Sequence, residues 1–205
     1  MWGAVDISKF FDQVVRGLVY SLARMAGMPG GILEAYERYQ EELVTMNTIV
    51  GGLGEPYKRD CGIPQGDPLS MVMVALLMRA WVVMMKGMGV VPSLLVDDIL
   101  ILASGENMKE TFRRALEATH GYLLDMGATV APDKSHVFAT TGAMRKWLKI
   151  YKWPGIGKAI RVVQQFKYLG GQISATNWLH TKVLKARFAR AIAIAHKLVY
   201  LNISV

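Results

Sequence analysis

The sequence predicts an α+β fold in which an antiparallel sheet packs against helices. Three observations lead to this prediction: a hairpin pattern around Asp97-Asp98, an apolar helical stretch at 66–86, and the order strand, helices, hairpin, helix, strands. That order is typical of antiparallel sheets whose helices gather on one face. At 205 residues the chain can form one large domain, or a domain with a small appendage.

The individual elements follow from hydrophobic periodicity and from the positions of glycine and proline. They are, in order, a strand at 2–6, helices at 12–27, 32–48 and 66–86, the hairpin around Asp97-Asp98, a helix at 107–126, strands at 135–140 and 158–163, a hairpin at 165–174 and a helix at 177–200. The apolar stretch at 69–85 contains Arg79 and is shorter than a membrane span, so we expect a helix buried behind the sheet.

Asp97 and Asp98 interrupt two apolar runs, at 94–96 and 99–103. Carboxylates are depleted in strands and are rarely buried, which favours a hairpin with both carboxylates at its tip. A third carboxylate, Asp6, ends the first predicted strand. Three carboxylates at adjoining strand ends can hold a pair of divalent cations for phosphoryl transfer. The alternatives are an ordinary Asp-rich turn and a strand-end Asp6, and we interpret Asp12 as a helix N-cap.

Residues 62–70, Gly-Ile-Pro-Gln-Gly-Asp-Pro-Leu-Ser, form a loop restricted by two glycines and two prolines before the apolar helix. This Gly/Pro loop completes a pattern that resembles the reverse transcriptases, especially those of non-LTR retrotransposons and, more distantly, group II introns. Five stretches match family motifs in family order: 6–12, 62–70, 96–98, 127–135 and 166–170. The sequence departs from the family at Leu95-Val96, where an aromatic residue and Ala are common, and at Phe10, where a small residue is usual.

The resemblance implies a polymerase palm with a ferredoxin-like core over 1–174, the beginning of a helical thumb over 175–205, and no fingers. It also implies that Asp6, Asp97 and Asp98 bind two Mg²⁺ ions, for which Mn²⁺ can substitute. The remaining implied site residues are Gln65 and Gly66 near the incoming nucleotide and template, and a primer grip of Phe166, Tyr168, Leu169 and Gly170.

Two further roles are implied by position. Phe11, five residues after Asp6, matches the steric gate that crowds a ribose 2′-hydroxyl and so favours deoxynucleotides; the alternative is that it only packs beneath the helix. Lys134 matches the lysine proposed to protonate the pyrophosphate leaving group; the alternative is a solvated side chain.

Charge is distributed unevenly along the chain. Residues 1–133 contain eleven Lys/Arg and sixteen Asp/Glu, whereas residues 134–205 contain thirteen Lys/Arg and no acidic residue. A uniformly basic half suits a nucleic-acid track, and cations alternate with aromatic residues at 145–153. Lys182, Lys185 and Arg190 lie on the predicted basic face of the last helix. A solvated basic surface is the alternative.

Cysteine and histidine usage excludes several classes of site. The single cysteine, Cys61, rules out an internal disulfide and a multi-cysteine zinc site, and no pair of the four histidines has metal-binding spacing. One cysteine favours a reducing compartment, and no secretory leader is expected. We therefore expect an intracellular protein, nuclear if it derives from a retrotransposon.

The implied reaction is RNA-templated addition of deoxynucleotides to a primer 3′-hydroxyl. The expected partners are an RNA template, a DNA primer, deoxynucleoside triphosphates and other domains of a longer polyprotein, with no membrane. Two alternatives stay open: the palm of an RNA-dependent RNA polymerase, against which Phe11 argues, and a catalytically inactive remnant that only binds nucleic acid.

Overall fold

The computed structural model describes residues 1–168, 171–174 and 182–199. The chain divides into two compact units, Met1–Val162 and Val163–Val205. The first unit contains the large sheet and most of the helices, and the second contains a hairpin and a long helix.

The described part of the chain contains seven helices and eleven short strands. The helices are α1 (Phe10–Gln13), α2 (Arg16–Met25), α3 (Gly30–Glu42), α4 (Pro68–Gly87), α5 (Met108–Asp125), α6 (Gly142–Ile150) and α7 (Lys182–Val199). The strands are β1 (Trp2–Val5), β2 (Val44–Thr45), β3 (Thr48–Ile49), β4 (Gly52–Leu53), β5 (Tyr57–Lys58), β6 (Val91–Leu95), β7 (Asp98–Leu102), β8 (His136–Phe138), β9 (Arg161–Val162), β10 (Gln165–Tyr168) and β11 (Gly171–Ser174).

Five strands of the first unit form one sheet in the order β6-β7-β1-β8-β9. The pairs β6-β7, β7-β1 and β1-β8 are antiparallel, and only β8-β9 is parallel. The parallel pair is connected through α6, as a parallel connection requires. The predicted α+β class with a largely antiparallel sheet is therefore confirmed, and β1 lies at its centre.

The core lies between this sheet and the helices α4 and α5. A Cβ added to Gly3 in β1 would lie 2.9 Å from the Phe112 ring of α5, so the helix packs directly on the central strand. Trp81 of α4 is fully buried, and its indole N–H donates a 3.0 Å hydrogen bond to Thr119 of α5. This bond satisfies a polar group that burial would otherwise penalise.

The helix predicted at 12–27 is interrupted. Val14 and Val15 are extended between α1 and α2, and the Val14 carbonyl accepts a 2.8 Å hydrogen bond from Gly62 N–H instead of a helical one. A contact 48 residues away therefore overrides the local helical periodicity. The N-cap interpretation of Asp12 is wrong: Asp12 lies inside α1, and its carboxylate pairs with Arg59 at 3.0 Å.

Two further elements differ from the prediction. The helix expected over 32–48 ends at Glu42, and the segment to residue 58 forms the small ladders β2-β5 and β3-β4. Helix α6 was not predicted; its first turn is capped by the Thr141 hydroxyl, which accepts from Met144 N–H at 3.4 Å. Both segments are short, so their periodicity is a weak signal.

Helix α4, Pro68–Gly87, agrees with the helix predicted at 66–86 to within two residues at either end. It has 20 residues, and an 18-residue stretch of it has a mean hydropathy of 1.9, so by length and composition alone it could cross a membrane. Seven of its residues, spaced along one side from Ser70 to Met85, are buried. The expectation of a helix buried behind the sheet is confirmed, and the expectation that it is too short for a span is wrong.

Candidate active site

The register of the central strands brings two of the predicted aspartates together. Val5 of β1 pairs with Ile99 of β7 as the last pair of the ladder. Asp6 follows Val5 and Asp98 precedes Ile99, so the same antiparallel register puts the two aspartates opposite each other one residue further on. Because one ladder positions both aspartates, the motif at 6–12 and the motif at 96–98 meet at one edge of the sheet.

Asp97 lies at the same edge, in the hairpin turn. Leu95 pairs with Asp98 to close the β6-β7 ladder, which leaves Val96 and Asp97 as the two turn residues. Val96 has a φ of 58°, a left-handed conformation that is rare for a β-branched side chain. Such strained positions occur in tight turns and cluster at functional sites. The expected placement of the acidic pair at a hairpin tip holds, with Asp97 in the turn and Asp98 as the first residue of β7.

The aspartates face away from the buried core. Asp6 alternates with Val5 and Ile7, which are both buried at 3% exposure, and Asp98 precedes the buried Ile99. Successive side chains of an extended segment point to opposite faces. The carboxylates of Asp6 and Asp98 therefore lie on the sheet face opposite α5. Asp6 is half-buried, and both Asp98 and the turn residue Asp97 are exposed.

The three carboxylates interact electrostatically. Partial burial raises the pKa of the Asp98 carboxyl above its usual range, and the negative charges of Asp97 and then Asp6 raise it further. Across the described ranges, no three His, Cys, Asp or Glu side chains are grouped closely enough to hold a metal ion as they stand. The backbone thus brings the three aspartates to one edge, whereas their side chains do not form a closed cage.

The backbone of Asp6 is held by hydrogen bonds to the motif at 127–135. Asp6 N–H donates to the Ser135 hydroxyl at 3.1 Å, and the Asp6 carbonyl accepts from Ala131 N–H at 2.9 Å. Ser135 is fully buried, and its hydroxyl donates to the Ala131 carbonyl at 2.8 Å. Lys134 lies in the turn between these two anchors with an exposed side chain. The turn that carries Lys134 is therefore tied to the strand end that carries Asp6.

The Gly/Pro loop docks on α1. Ile63 N–H donates to the Phe11 carbonyl at 2.8 Å, and a Cβ added to Gly62 would lie 2.9 Å from that same oxygen. Gly62 also has a φ of +87°, so both the close approach to α1 and the left-handed backbone require glycine at this position. Phe11 itself is half-buried, and its ring contacts Phe10 edge-on at 5.9 Å between centroids.

The second half of the Gly/Pro loop begins α4. Asp67 is the N-cap, and its carboxylate accepts from Leu69 N–H at 3.1 Å. Ser70 closes the loop by donating to the Pro64 carbonyl at 2.8 Å. Gln65 lies exposed in the turn between these contacts, followed by an exposed Gly66 with a φ of +90°. The loop is thus anchored at both ends and presents Gln65 outward.

A polar cleft of about 470 Å³ adjoins this loop. It is lined by Gln65, Pro64 and Gly62 of the loop, by Asp12, and by Arg16 and Arg59. Arg16 is a residue that sequence reasoning missed. The available signal is an arginine that directly follows two valines at the start of a helix, and this pattern alone does not distinguish a buried cation from a solvated one.

The remaining predicted residues lie in the second unit. Phe166 pairs with Ile173 across β10-β11, and the Phe166 and Tyr168 rings lie 6.4 Å apart. Leu169 and Gly170 fall outside the described residues. Lys182 begins α7, and Lys185 and Arg190 are exposed along it.

Comparison with known proteins agrees with this architecture. A telomerase structure from Candida tropicalis, truncated of its C-terminal domain, superposes with a TM-score of 0.59 over 85% of this chain and 34% of its own length, at 15% sequence identity. This similarity, together with the central aspartate-bearing sheet, defines the fold as a palm-type polymerase fold. The sequence profile of the family described as "Reverse transcriptase (RNA-dependent DNA polymerase)" matches residues 3–173, and the chain belongs to that family.

A curated relative extends the comparison. The retrovirus-related Pol polyprotein from type-1 retrotransposable element R1 2 of Nasonia vitripennis is 25% identical. The alignment covers 64% of this chain and 34% of the relative, so the match spans about a third of that polyprotein. The resemblance to reverse transcriptases that the five motifs indicated is confirmed.

Proposed function

We propose that this chain is the palm portion of a non-LTR retrotransposon reverse transcriptase and adds deoxynucleotides to a primer 3′-hydroxyl on an RNA template. The observation that carries the proposal is the meeting of Asp6 and Asp98 at one sheet edge, with Asp97 in the adjacent turn, in a chain of this family. The related Pol polyprotein supports the retrotransposon type, and it supports further domains in the same polyprotein.

Asp6, Asp97 and Asp98 would hold two Mg²⁺ ions. Burial, and then the negative charges of Asp97 and Asp6, raise the pKa of Asp98. The fit of these residues to Mg²⁺ rests on the repulsion among the carboxylates, which a hard divalent cation relieves. When bound, Mg²⁺ neutralises charge that develops on the phosphoryl oxygens. The exposed side chains of Asp97 and Asp98 leave room for water and substrate phosphate beside the ions.

The chain's own residues position the reactants. The primer 3′-hydroxyl loses its proton to solvent as its oxygen forms a bond to the α-phosphorus and the bond to pyrophosphate breaks. Lys134 gives its Nζ proton to the departing pyrophosphate and takes a proton back from solvent. The anchoring of the 131–135 turn to Asp6 supports this role, since it ties the lysine's segment to a metal-binding strand end.

Nucleotide selection is assigned to Phe11 and the Gly/Pro loop. Phe11 crowds a ribose 2′-hydroxyl, and Gln65 and Gly66 contact the incoming nucleotide and the template. The hydrogen bond between Ile63 N–H and the Phe11 carbonyl supports this assignment, because it couples the loop directly to the gate. The hairpin β10-β11, with Phe166 and Tyr168, serves as the primer grip, and the thumb over 175–205 stays a prediction.

The test is gel-resolved extension of a DNA primer on an RNA template with Mg²⁺. Asp97→Asn should abolish addition, whereas Glu106→Gln, which removes an exposed carboxylate beyond the opposite end of β7 from Asp98, should leave it unchanged. Phe11→Ala should raise the use of ribonucleotides relative to deoxynucleotides. A folded chain that binds primer–template but adds no nucleotide would instead support the inactive, nucleic-acid-binding remnant.

A further inference from the structure

We infer that Arg16 is a positioning residue for nucleotide selection, because its buried guanidinium fixes the chain that leads into the Gly/Pro loop. Arg16 begins α2 and is only 6% exposed. Its hydrogen bonds go to backbone carbonyls and to the Glu41 carboxylate, so its effect on the reaction passes through the loop backbone. The effect of Arg16 on nucleotide selection rests on the proposed function, whereas its hydrogen bonds to the chain do not depend on it.

The guanidinium is surrounded by acceptors. Its Nε donates to the Gly62 carbonyl at 2.9 Å, and Nη2 donates to the carbonyls of Cys61, at 3.4 Å, and Arg59. These three acceptors precede or begin the Gly/Pro loop. The planar five-donor fork of arginine is suited to several acceptors at once, and a buried cation requires them.

The remaining donor ties this segment to α3. Nη1 donates to the Gln40 carbonyl at 3.0 Å and to the Glu41 carboxylate at 3.2 Å. Glu41 is 60% exposed, so the backbone carbonyls, rather than this ion pair, hold the guanidinium. Arg16 thereby joins the start of α2, the end of α3 and the approach to the loop.

The backbone N–H and the carbonyl of Gly62, the first residue of the loop, bond to different partners. Gly62 N–H is fixed by Val14 of the α1-α2 break, while the Gly62 carbonyl is fixed by Arg16. Gln65 follows three residues later with an exposed side chain beside the polar cleft. Loss of the Arg16 contacts releases one of these two restraints, and displacements of about 1 Å at such positions can cost about 100-fold in kcat/KM.

The first test is hydrogen–deuterium exchange of the full chain carrying Arg16→Lys. Lysine keeps the positive charge but lacks the planar fork, so amides at 59–66 should exchange about tenfold faster or more, the factor for a lost hydrogen bond to a charged group. Amides of β1 and β7 should be unchanged. Arg24→Lys is the matched control, since Arg24 lies on the same helix in a surface pair with Glu37.

Equal exchange at 59–66 in the Arg16 variant and the unsubstituted chain overturns the inference, as does a uniform acceleration over the whole sheet. Should Arg16→Lys fail to fold, native-state exchange of the unsubstituted chain in low urea decides the matter. Residues 59–63 should then open together with the first turn of α2, and opening of 59–63 alone overturns the inference.

The second test separates positioning from general stability. In RNA-templated extension, Arg16→Lys should raise the deoxynucleotide KM by up to about 100-fold, and by a larger factor than it lowers kcat. Arg24→Lys should leave both parameters unchanged, and an Arg16→Lys effect on kcat alone overturns the inference. If the unsubstituted chain extends no primer, the proposed function fails, while the exchange result still decides whether Arg16 fixes the loop.

Discussion

Asp6 and Asp98 occupy opposing positions one residue beyond the last paired residues of β1 and β7, on the sheet face opposite α5. The burial of Val5, Ile7 and Ile99 fixes this arrangement, because a shift of the register by one residue would turn these apolar side chains away from the core. The carboxylates are therefore held apart from the core by the same pattern that buries their neighbours.

The first prediction concerns metal binding. Calorimetric titration of the chain with Mn²⁺ should show binding that Asp97→Asn or Asp98→Asn weakens at least about tenfold, since each removes a charged oxygen ligand. Glu106→Gln removes an exposed carboxylate beyond the opposite end of β7 from Asp98 and should leave the affinity unchanged. Equal Mn²⁺ affinity in all three variants would exclude a shared site.

The second prediction concerns pH. The pKa of Asp98 is raised in the folded chain, chiefly by burial and then by Asp97 and Asp6, so folding favours its protonated form. Its contribution to stability is present below the unfolded-state pKa of about 4 and is lost as pH rises through the raised value. Asp98→Asn should therefore raise Tm in metal-free buffer at neutral pH, with no difference near pH 3.

The rise in Tm should be small, because the Asp98 side chain is largely exposed to solvent. In a chain of this size, a difference of 1 kcal/mol in the free energy of unfolding corresponds to about 2–4 °C in Tm. Thermal unfolding by circular dichroism measures the change in Tm, with Glu106→Gln, which removes an exposed carboxylate, as the control. A gain in Tm that is as large at pH 3 as at pH 7 would show that charge is not the cause.

A third prediction compares two glycines of the Gly/Pro loop. Both have positive φ, but a Cβ at Gly62 would also overlap the Phe11 and Asp12 carbonyls, whereas Gly66 has open space. Gly66→Ala should cost about 1–2 kcal/mol from the left-handed conformation alone, and Gly62→Ala clearly more. Urea unfolding measures the difference; equal losses would mean that the loop does not dock on α1 as described.

The fourth prediction concerns the basic half of the chain. Affinity for primer–template should fall steeply with salt, and replacing Lys182, Lys185 and Arg190 with Ala should flatten the log–log slope by about 0.9 for each lost phosphate contact in a B-form duplex. Arg38, Lys58 and Lys86, three exposed cations of the acidic half, provide a charge-matched control triple. Fluorescence anisotropy at several salt concentrations measures the slopes, and identical slopes for both triples would remove α7 from the nucleic-acid track.

The sequence alone determined the elements whose signals are long or alternating. The apolar helix α4, the β6-β7 hairpin and strand β1 were all predicted, because their hydrophobic patterns extend over enough residues to define a period. The motif order in turn identified the family and the three aspartates, since residue types at fixed spacing can be read without a fold.

Only the tertiary structure decided how these pieces meet. The β1-β7 register sets Asp6 against Asp98, and contacts from Gly62 break the predicted helix at Val14. The role of Arg16 is of the same kind: its acceptors lie 24 to 46 residues away in sequence, and backbone carbonyls carry no residue-specific signal. Local patterns specify helices and strands, whereas buried hydrogen bonds between distant segments depend on packing, which no single stretch of sequence encodes.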